Sequence, residues 1–298
     1  MTNNIFLKSL LTLHHVYPLT LNKLRQLLQN IDTFEQLETT PVSYLAQLLN
    51  IDEKKAFSVR ENYMQALNRN IEQEYDKCNI LAIPFNSKNY PEKLLQLVDP
   101  PAVLYAKGDI SLLHYDKKIA CIGSRKATVY SSQALHEIIP PLTENQYVIV
   151  SGLAKGADSL AHRAAIHYGG KTIAVLGHGF NYIYPKCNED LARYMAKKQL
   201  LLTEYPPHTG PQKWHFPMRN RIISGLSDAL VVTEAAVKSG TLITTEHALE
   251  HGKDVFVVPG PITSNESTGT NKLLREGAIP IWNGQQIIDE MQMFQIKN

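Results

Sequence analysis

A doubly wound α/β domain behind a small helical segment is the fold this sequence predicts, on three observations. From Lys117 onward, apolar runs rich in β-branched residues recur at Ile119–Ile122, Tyr147–Val150, Thr172–Leu176, Leu200–Thr203, Ala229–Thr233, Asp254–Val258 and Ile279–Trp282. Helical stretches lie between many of them, at Ser131–Ile139, Asp158–Tyr168, Glu189–Lys198 and Thr241–His251. The runs are continuous instead of alternating with polar residues, which is the pattern of parallel strands covered on both faces.

Residues 1–75 read as short helices, because apolar positions recur at spacings of three and four: Ile5, Leu7, Leu10, Leu11; Leu21, Leu24, Leu27, Leu28; Tyr44, Leu45, Leu48, Leu49. Thr20 can cap one helix, and Thr40-Pro41 can open another. Residues 76–114 carry two short extended runs, Ile80–Ile83 and Ala102–Ala106, between proline signals, and lead into the larger unit. The expected division is a helical domain over residues 1–75 and an α/β domain over residues 76–298.

The chain of 298 residues is 44% hydrophobic and 19% charged, enough to bury a sizeable core. Its net charge of +2 argues against a broad polyanion-coating surface and leaves room for a local basic pocket. Cys78, Cys121 and Cys187 are odd in number, distant and without C-x-x-C spacing, which disfavours a disulfide framework or a zinc site and fits a reducing compartment. "MTNNIFLKSLLTLHH" lacks a basic leader and a cleavage site, and no run approaches the roughly 18 apolar residues of a spanning helix. A cytoplasmic, membrane-free protein is expected.

In such a sheet, ligands bind beyond the carboxyl ends of the strands. Small, hydroxylated and glycine-rich loops follow five of the runs: "GSRKAT", "SGLAKGAD", "GHGFNYIYP", "EAAVKSGTLITTE" and "PGPITSNESTGTN". Glycine admits close backbone approach, and free N–H groups at helix starts bind anions. Five such loops on one rim point to a phosphate-lined pocket, with Arg125 and Lys155 as its cations. Asp158 is either a helix-start residue or part of the site, and Glu234 and Glu246 are either carboxylates of the site or a loop brace and a surface charge. Walker, complete G-x-G-x-x-G, G-x-S-x-G and metal-ligand spacings are absent, so no nucleotide cofactor, serine hydrolase or metal is expected. His162 and His167 form a poor i,i+4 pair.

Upstream of Ala229–Thr233, "KWHFPMRNR" sets lysine, aromatic and arginine side chains at the start of a helix on the ligand rim. Rings that stack on bases beside cations that hold phosphates are the combination used for single strands. Lys213 and Phe216 read as binding residues, and Trp214 as a core anchor. Of Arg219 and Arg221, one reads as half of a structural ion pair, with Asn220 and Arg221 bracing the pocket.

Taken in order, "GSR", "SGLAKGAD", "GHGFNYIYP", "FPMRNRIISGLSDALVVTEA", "KSGTLITTEHALEHGKDVFVVPG" and "GTNKLLREGA" resemble the DNA-processing protein A (DprA/Smf) family over about residues 80–280. The resemblance implies an extended Rossmann domain behind a helical SAM-like domain. It also implies non-catalytic, sequence-neutral binding of single-stranded DNA, protection of DNA taken up in natural transformation, loading of RecA recombinase, and action as a dimer. Carried over by motif, Gly123, Ser124, Arg125, Lys213, Phe216, Asn220 and Arg221 are DNA contacts. Ser151, Gly152, Lys155, Ser239 and Gly240 are phosphate-pocket candidates. Two departures stand out: "HHVYPLT" replaces the Gly-x-Gly turn expected in the helical domain, and the chain ends at Asn298 without room for a winged-helix domain. Leu273, Leu274 and Ile279 are candidates for a dimer face. The competing expectation is a Rossmann-like nucleoside-monophosphate phosphoribohydrolase (lysine-decarboxylase-like), but only Gly240-Thr241 survives of that motif, and Glu246 is displaced by two residues, about 200° around a helix.

Overall fold

The computed structural model describes residues 2–237 and 240–297. The first helices are α1 (Thr2–Val16), α2 (Leu21–Leu28), α3 (Val42–Leu49), α4 (Glu53–Ala66) and α5 (Ile71–Lys77). Thr20 caps α2 by accepting from the Lys23 N–H at 3.5 Å, and Pro41 opens α3 at φ −55°. The leucines at helical spacing turn inward, whereas Ile5 and Tyr44, expected among them, are exposed; Tyr44 donates to Asn30 at 2.9 Å.

Nine described strands follow: β1 (Leu81–Pro84), β2 (Val103–Gly108), β3 (Lys118–Ile122), β4 (Val148–Ser151), β5 (Lys171–Leu176), β6 (Leu200–Thr203), β7 (Ala229–Val232), β8 (Asp254–Val257) and β9 (Ile279–Pro280). They form one sheet in the order β1-β2-β6-β5-β4-β3-β7-β8-β9. The run from β6 to β9 is parallel, and β1 and β2 complete it antiparallel. Residues 76–114 thus supply the sheet's edge pair.

The helices that accompany the strands are α6 (Val129–Glu144), α7 (Ala157–His167), α8 (Glu189–Lys198), α9 (His215–Leu226), α10 (Gly240–Glu250), α11 (Thr268–Arg275) and α12 (Gly284–Lys297). The period-2 alternation of a strand sends Ile119 and Cys121 into a core with α6, α7 and α12. It sends Ala120 and Ile122 into the opposite core with α9 and α11. Each face is covered, which is why the central strands read as unbroken apolar runs.

Two boundaries differ from the expectation. Helix α6 continues past Pro140 and Pro141 to Glu144, and its last turn is closed by Thr143 and Asn145 side chains bonding the two proline carbonyls at 2.8 and 2.9 Å. The last strand stops at Pro280, because Trp282 turns out to solvent and its N–H is taken by Gln286 at 2.9 Å. Among the described residues no helix is long and apolar enough to cross a membrane.

The helical segment packs on β2: Ala102, Val103 and Tyr105 belong to the same core as Leu10, Leu24 and Leu45. The "HHVYPLT" stretch makes that joint. Buried His14 bonds the Tyr105 hydroxyl at 2.9 Å and the Leu19 carbonyl at 3.2 Å, and His15 bonds Tyr75 at 2.6 Å. A second buried histidine, His162 in α7, meets Thr172 of β5 at 2.6 Å. The Thr172 hydroxyl already donates to the Ile149 carbonyl at 2.7 Å, so His162 Nδ1 must carry the proton and donate. Its Nε2 is left buried with no partner.

Burial holds His14 and His162 in the neutral form, each pushed down to about 3 from an ordinary 6.5. The unfolded chain therefore takes up these protons first. Their contribution to stability is complete above pH 6.5 and is lost as the pH falls toward 3. At pH 5 each should remove up to about 2 kcal/mol of unfolding free energy. Urea titrations at pH 7 and 5 check this; a His162→Gln variant should show the weaker pH dependence.

Candidate nucleic-acid interface

The strand order reverses at β3, which has β4 on one side and β7 on the other. Pairing Ala120 with Val150 and Ile122 with Val232 brings the loops after all three strands out at the same level. At such a switch point open α/β sheets bind ligands.

The loop after β3 is fixed from both sides. A Cβ on Gly123 would stand 2.6 Å from Ala157 Cβ and from Thr233 Oγ1, so only glycine lets the three loops cross there. Ser124 N–H donates to the Glu234 carbonyl at 2.7 Å, and the Ser124 carbonyl accepts from Ala157 N–H at 3.1 Å. The buried Glu234 carboxylate accepts from Thr128 N–H at 2.7 Å and from its hydroxyl at 2.9 Å, so this glutamate braces the loop. The tip so held presents Arg125 and Lys126 to solvent.

Helix α9 supplies the facing wall. His215 is its buried anchor: it stacks on Tyr205 at 3.9 Å and reaches the Gly177 carbonyl at 3.1 Å. Trp214, expected in the core, is instead 60% exposed. The difference arises because the helix begins at this point, so adjacent residues diverge and the smaller ring takes the slot beside Tyr205. Lys213 is exposed, and Phe216 is half-buried with the Arg125 guanidinium 5.5 Å from its ring centre. Gly177 makes room for that ring, since a Cβ there would lie 3.1 Å from it.

Between these walls lies a cavity of about 490 Å³, lined by Gly123, Ser124, Arg125, Lys126, Lys213, Phe216, Asn220 and Gly240, with the Thr241 and Thr244 side chains. Gly240 opens α10, so the cavity also faces a helix N-terminus, where backbone N–H groups favour anions. Two carboxylates, Asp158 and Glu266, line it as well. Burial pushes the Asp158 carboxyl up, and Arg219, 3.9 Å away, opposes that. Three exposed cations above a floor where Arg219 faces Asp158, against the one further carboxylate of Glu266, make a small anion-attracting mouth with one aromatic face.

Several expected pocket residues do other work. Ser151 is fully buried and donates to the Cys121 carbonyl at 2.6 Å. The Gly152 carbonyl accepts from Arg219, and a Cβ at Gly152 would fall 1.8 Å from that guanidinium, so this glycine makes space for an arginine and not for a phosphate. Lys155 is exposed but off the cavity wall. Arg221 does not brace the pocket: two residues after Arg219 it is turned about 200° around α9, and it is buried against Glu204. Neither arginine reaches outward. Ser239 lies outside the described residues. Lys126, Thr241 and Thr244 were not selected from the sequence; Lys126 stands in "GSRK", where its adjacency to Arg125 was the available signal.

Glu246 is exposed on α10 and off the cavity wall. Leu273 is buried in the core under α9 with Leu274 half-buried against it, and Ile279 is half-buried against the opposite core under α6, so packing accounts for all three.

Fold and site together define a doubly wound α/β protein with a cationic, aromatic-sided anion pocket at its switch point. The profile of the family described as DNA recombination-mediator protein A matches residues 81–292, and the chain belongs to that family. It is 46% identical over 236 residues to DNA processing protein DprA of Bacillus subtilis (strain 168), covering 76% of this chain and 80% of that one. The protein of the same name from Streptococcus pneumoniae (strain ATCC BAA-255 / R6) is 42% identical over 232 residues, covering 78% and 81%. Among solved structures, S. pneumoniae DNA processing protein A superposes with a TM-score of 0.78 at 36% identity, over 94% of this chain and 95% of that one. DNA processing protein A from Helicobacter pylori, described for its single-stranded DNA binding mode, gives 0.65 at 35% identity over 72% and 96%.

Proposed function

We propose that this protein binds single-stranded DNA in the switch-point pocket without reading its sequence, protects it, and passes it to a RecA recombinase during natural transformation. It works in the cytoplasm, as a dimer, without catalysing a reaction. The observation that carries this reading is the convergence of Arg125, Lys213 and Phe216 on one cavity, with the Arg125 guanidinium 5.5 Å from the Phe216 ring. Cations of this kind hold phosphates, and an exposed ring stacks on any base, so affinity is gained without sequence discrimination. A near-neutral chain suits a grip confined to one pocket per subunit, which a dimer doubles.

Fluorescence anisotropy with oligo(dT) and mixed-sequence strands tests it. Arg125→Ala and Lys213→Ala should each weaken binding by about tenfold on every sequence alike and lower the log–log salt slope by about 0.7. Phe216→Ala should lose about 1–3 kcal/mol with the slope little changed. Wild-type affinity in all three variants would refute the assignment. Release of free base from nucleoside monophosphates would favour the phosphoribohydrolase alternative.

A further inference from the structure

Beside the switch-point pocket, on the α8 face of the sheet, lies a second concavity that this function does not use. It is a notch of about 120 Å³. That is many times what one water needs, and its floor is apolar, formed by Leu153, Leu176 and Leu201. Its mouth is flanked by Tyr182 and Tyr184, which are 44% and 48% exposed. Lys107 and Arg193 border it, the latter paired with the exposed Glu189.

Tyr184 belongs to both places. Its ring centre is 5.6 Å from that of Phe216, which lines the phosphate pocket. A strand leaving that pocket over Phe216 therefore meets Tyr184 next and the notch behind it. Tyr182 is supported on its other side by the loop at Gly210, where a Cβ would be 3.7 Å from the ring. Each ring is packed on one side, Tyr184 against Phe216 and Tyr182 against the Gly210 loop, and each keeps nearly half its surface open to a ligand.

We propose that the notch is a second base-binding subsite, taking an unpaired nucleobase of the same strand between Tyr182 and Tyr184. The apolar floor and two exposed rings suit a flat aromatic ligand of any base identity. Lys107 and Arg193 suit the phosphate that comes with it. The inference rests on the single-strand reading of the neighbouring pocket, because that pocket supplies the strand.

Two measurements on the full chain test it, both with oligo(dT) of about 12 nucleotides. The first compares the affinities of Tyr182→Ala, Tyr184→Leu and Phe216→Ala with wild type. The second places Tyr182→Trp in a chain whose own Trp214 and Trp282 are replaced by phenylalanine, and follows its fluorescence during the titration. The expected result is a loss of about 5- to 150-fold for Tyr182→Ala, and quenching of the new tryptophan as the strand saturates. Unchanged affinity for Tyr182→Ala and Tyr184→Leu, with no quenching, would overturn the subsite; a loss confined to Phe216→Ala would then leave the pocket standing. Equal binding by wild type and Phe216→Ala would instead count against the pocket itself. Tyr182 is half-exposed and no ring contact joins it to Phe216, so its replacement probes the notch alone.

Discussion

Replacing Arg219 with alanine should destabilise the protein by about 3–5 kcal/mol. The side chain is only 4% exposed and ties together the loop after β4, strand β5 and helix α9. Its guanidinium donates to the Gly152 carbonyl after β4 and to the Val175 carbonyl in β5 at 2.7 Å, and its Nε donates to Asn220 at 3.0 Å. It is also the cation facing the buried Asp158 carboxylate at 3.9 Å. Truncation leaves two buried carbonyls and a buried carboxyl unmatched, and charge burial is the costliest of these. Chemical denaturation measures the loss. Adding Asp158→Asn to Arg219→Ala should recover part of it, since the orphaned charge is then gone. A loss below 1 kcal/mol would mean that the floor of the pocket is not held in this way.

Arg221→Ala should cost a similar amount, about 3–5 kcal/mol, for a different reason and with a different outcome for DNA. Arg221 and Glu204 form a buried ion pair, their side chains 7% exposed. Burial pushes the Glu204 carboxyl up, and Arg221 opposes it. The pairing is incomplete: Glu204 Oε1 and Arg221 Nε and Nη1 have no partner among the described residues. An ion pair that meets only part of its hydrogen-bonding capacity contributes little net stability, although breaking it is expensive. The double variant Glu204→Leu with Arg221→Met should therefore unfold no earlier than wild type, while Arg221→Ala alone unfolds much earlier. Strand affinity of the folded double variant should equal wild type, because Arg221 points away from the cavity. Thermal melts with anisotropy titrations on the same samples decide both points.

The sheet was legible because burial on both faces leaves a signature in single strands. Ala229–Val232 and Lys118–Ile122 are buried at every position, and such runs are hard to mistake. Boundaries were less so: two adjacent prolines read as a helix stop, while the Thr143 and Asn145 side chains that close the last turn of α6 bond carbonyls only three and four residues back. In the site, the residues found were those whose chemistry alone makes them unusual. Arg125, Lys213 and Phe216 are cationic or aromatic at a rim where the core needs neither. The loops after β4 were misjudged because spacing does not reveal whether a loop's polar groups face in or out. Gly152 serves a neighbour 67 residues away in the chain. The separate roles of Arg219 and Arg221 follow the phase of α9, whose first turn is anchored by the stacking of His215 on Tyr205 after β6, a packing contact that helical spacing alone does not reveal.

In the proposed function, unpaired DNA is held at the switch point by Arg125, Lys213 and Phe216. An equilibrium titration of labelled single- and double-stranded DNA of one length, repeated over a range of salt, tests it most directly. The expected result is tighter binding of the single strand, a shallow slope of about −0.7 per phosphate held, and loss of the preference in an Arg125→Ala, Phe216→Ala double variant. Equal or tighter binding of the duplex, or a double variant that still prefers the single strand, would contradict it.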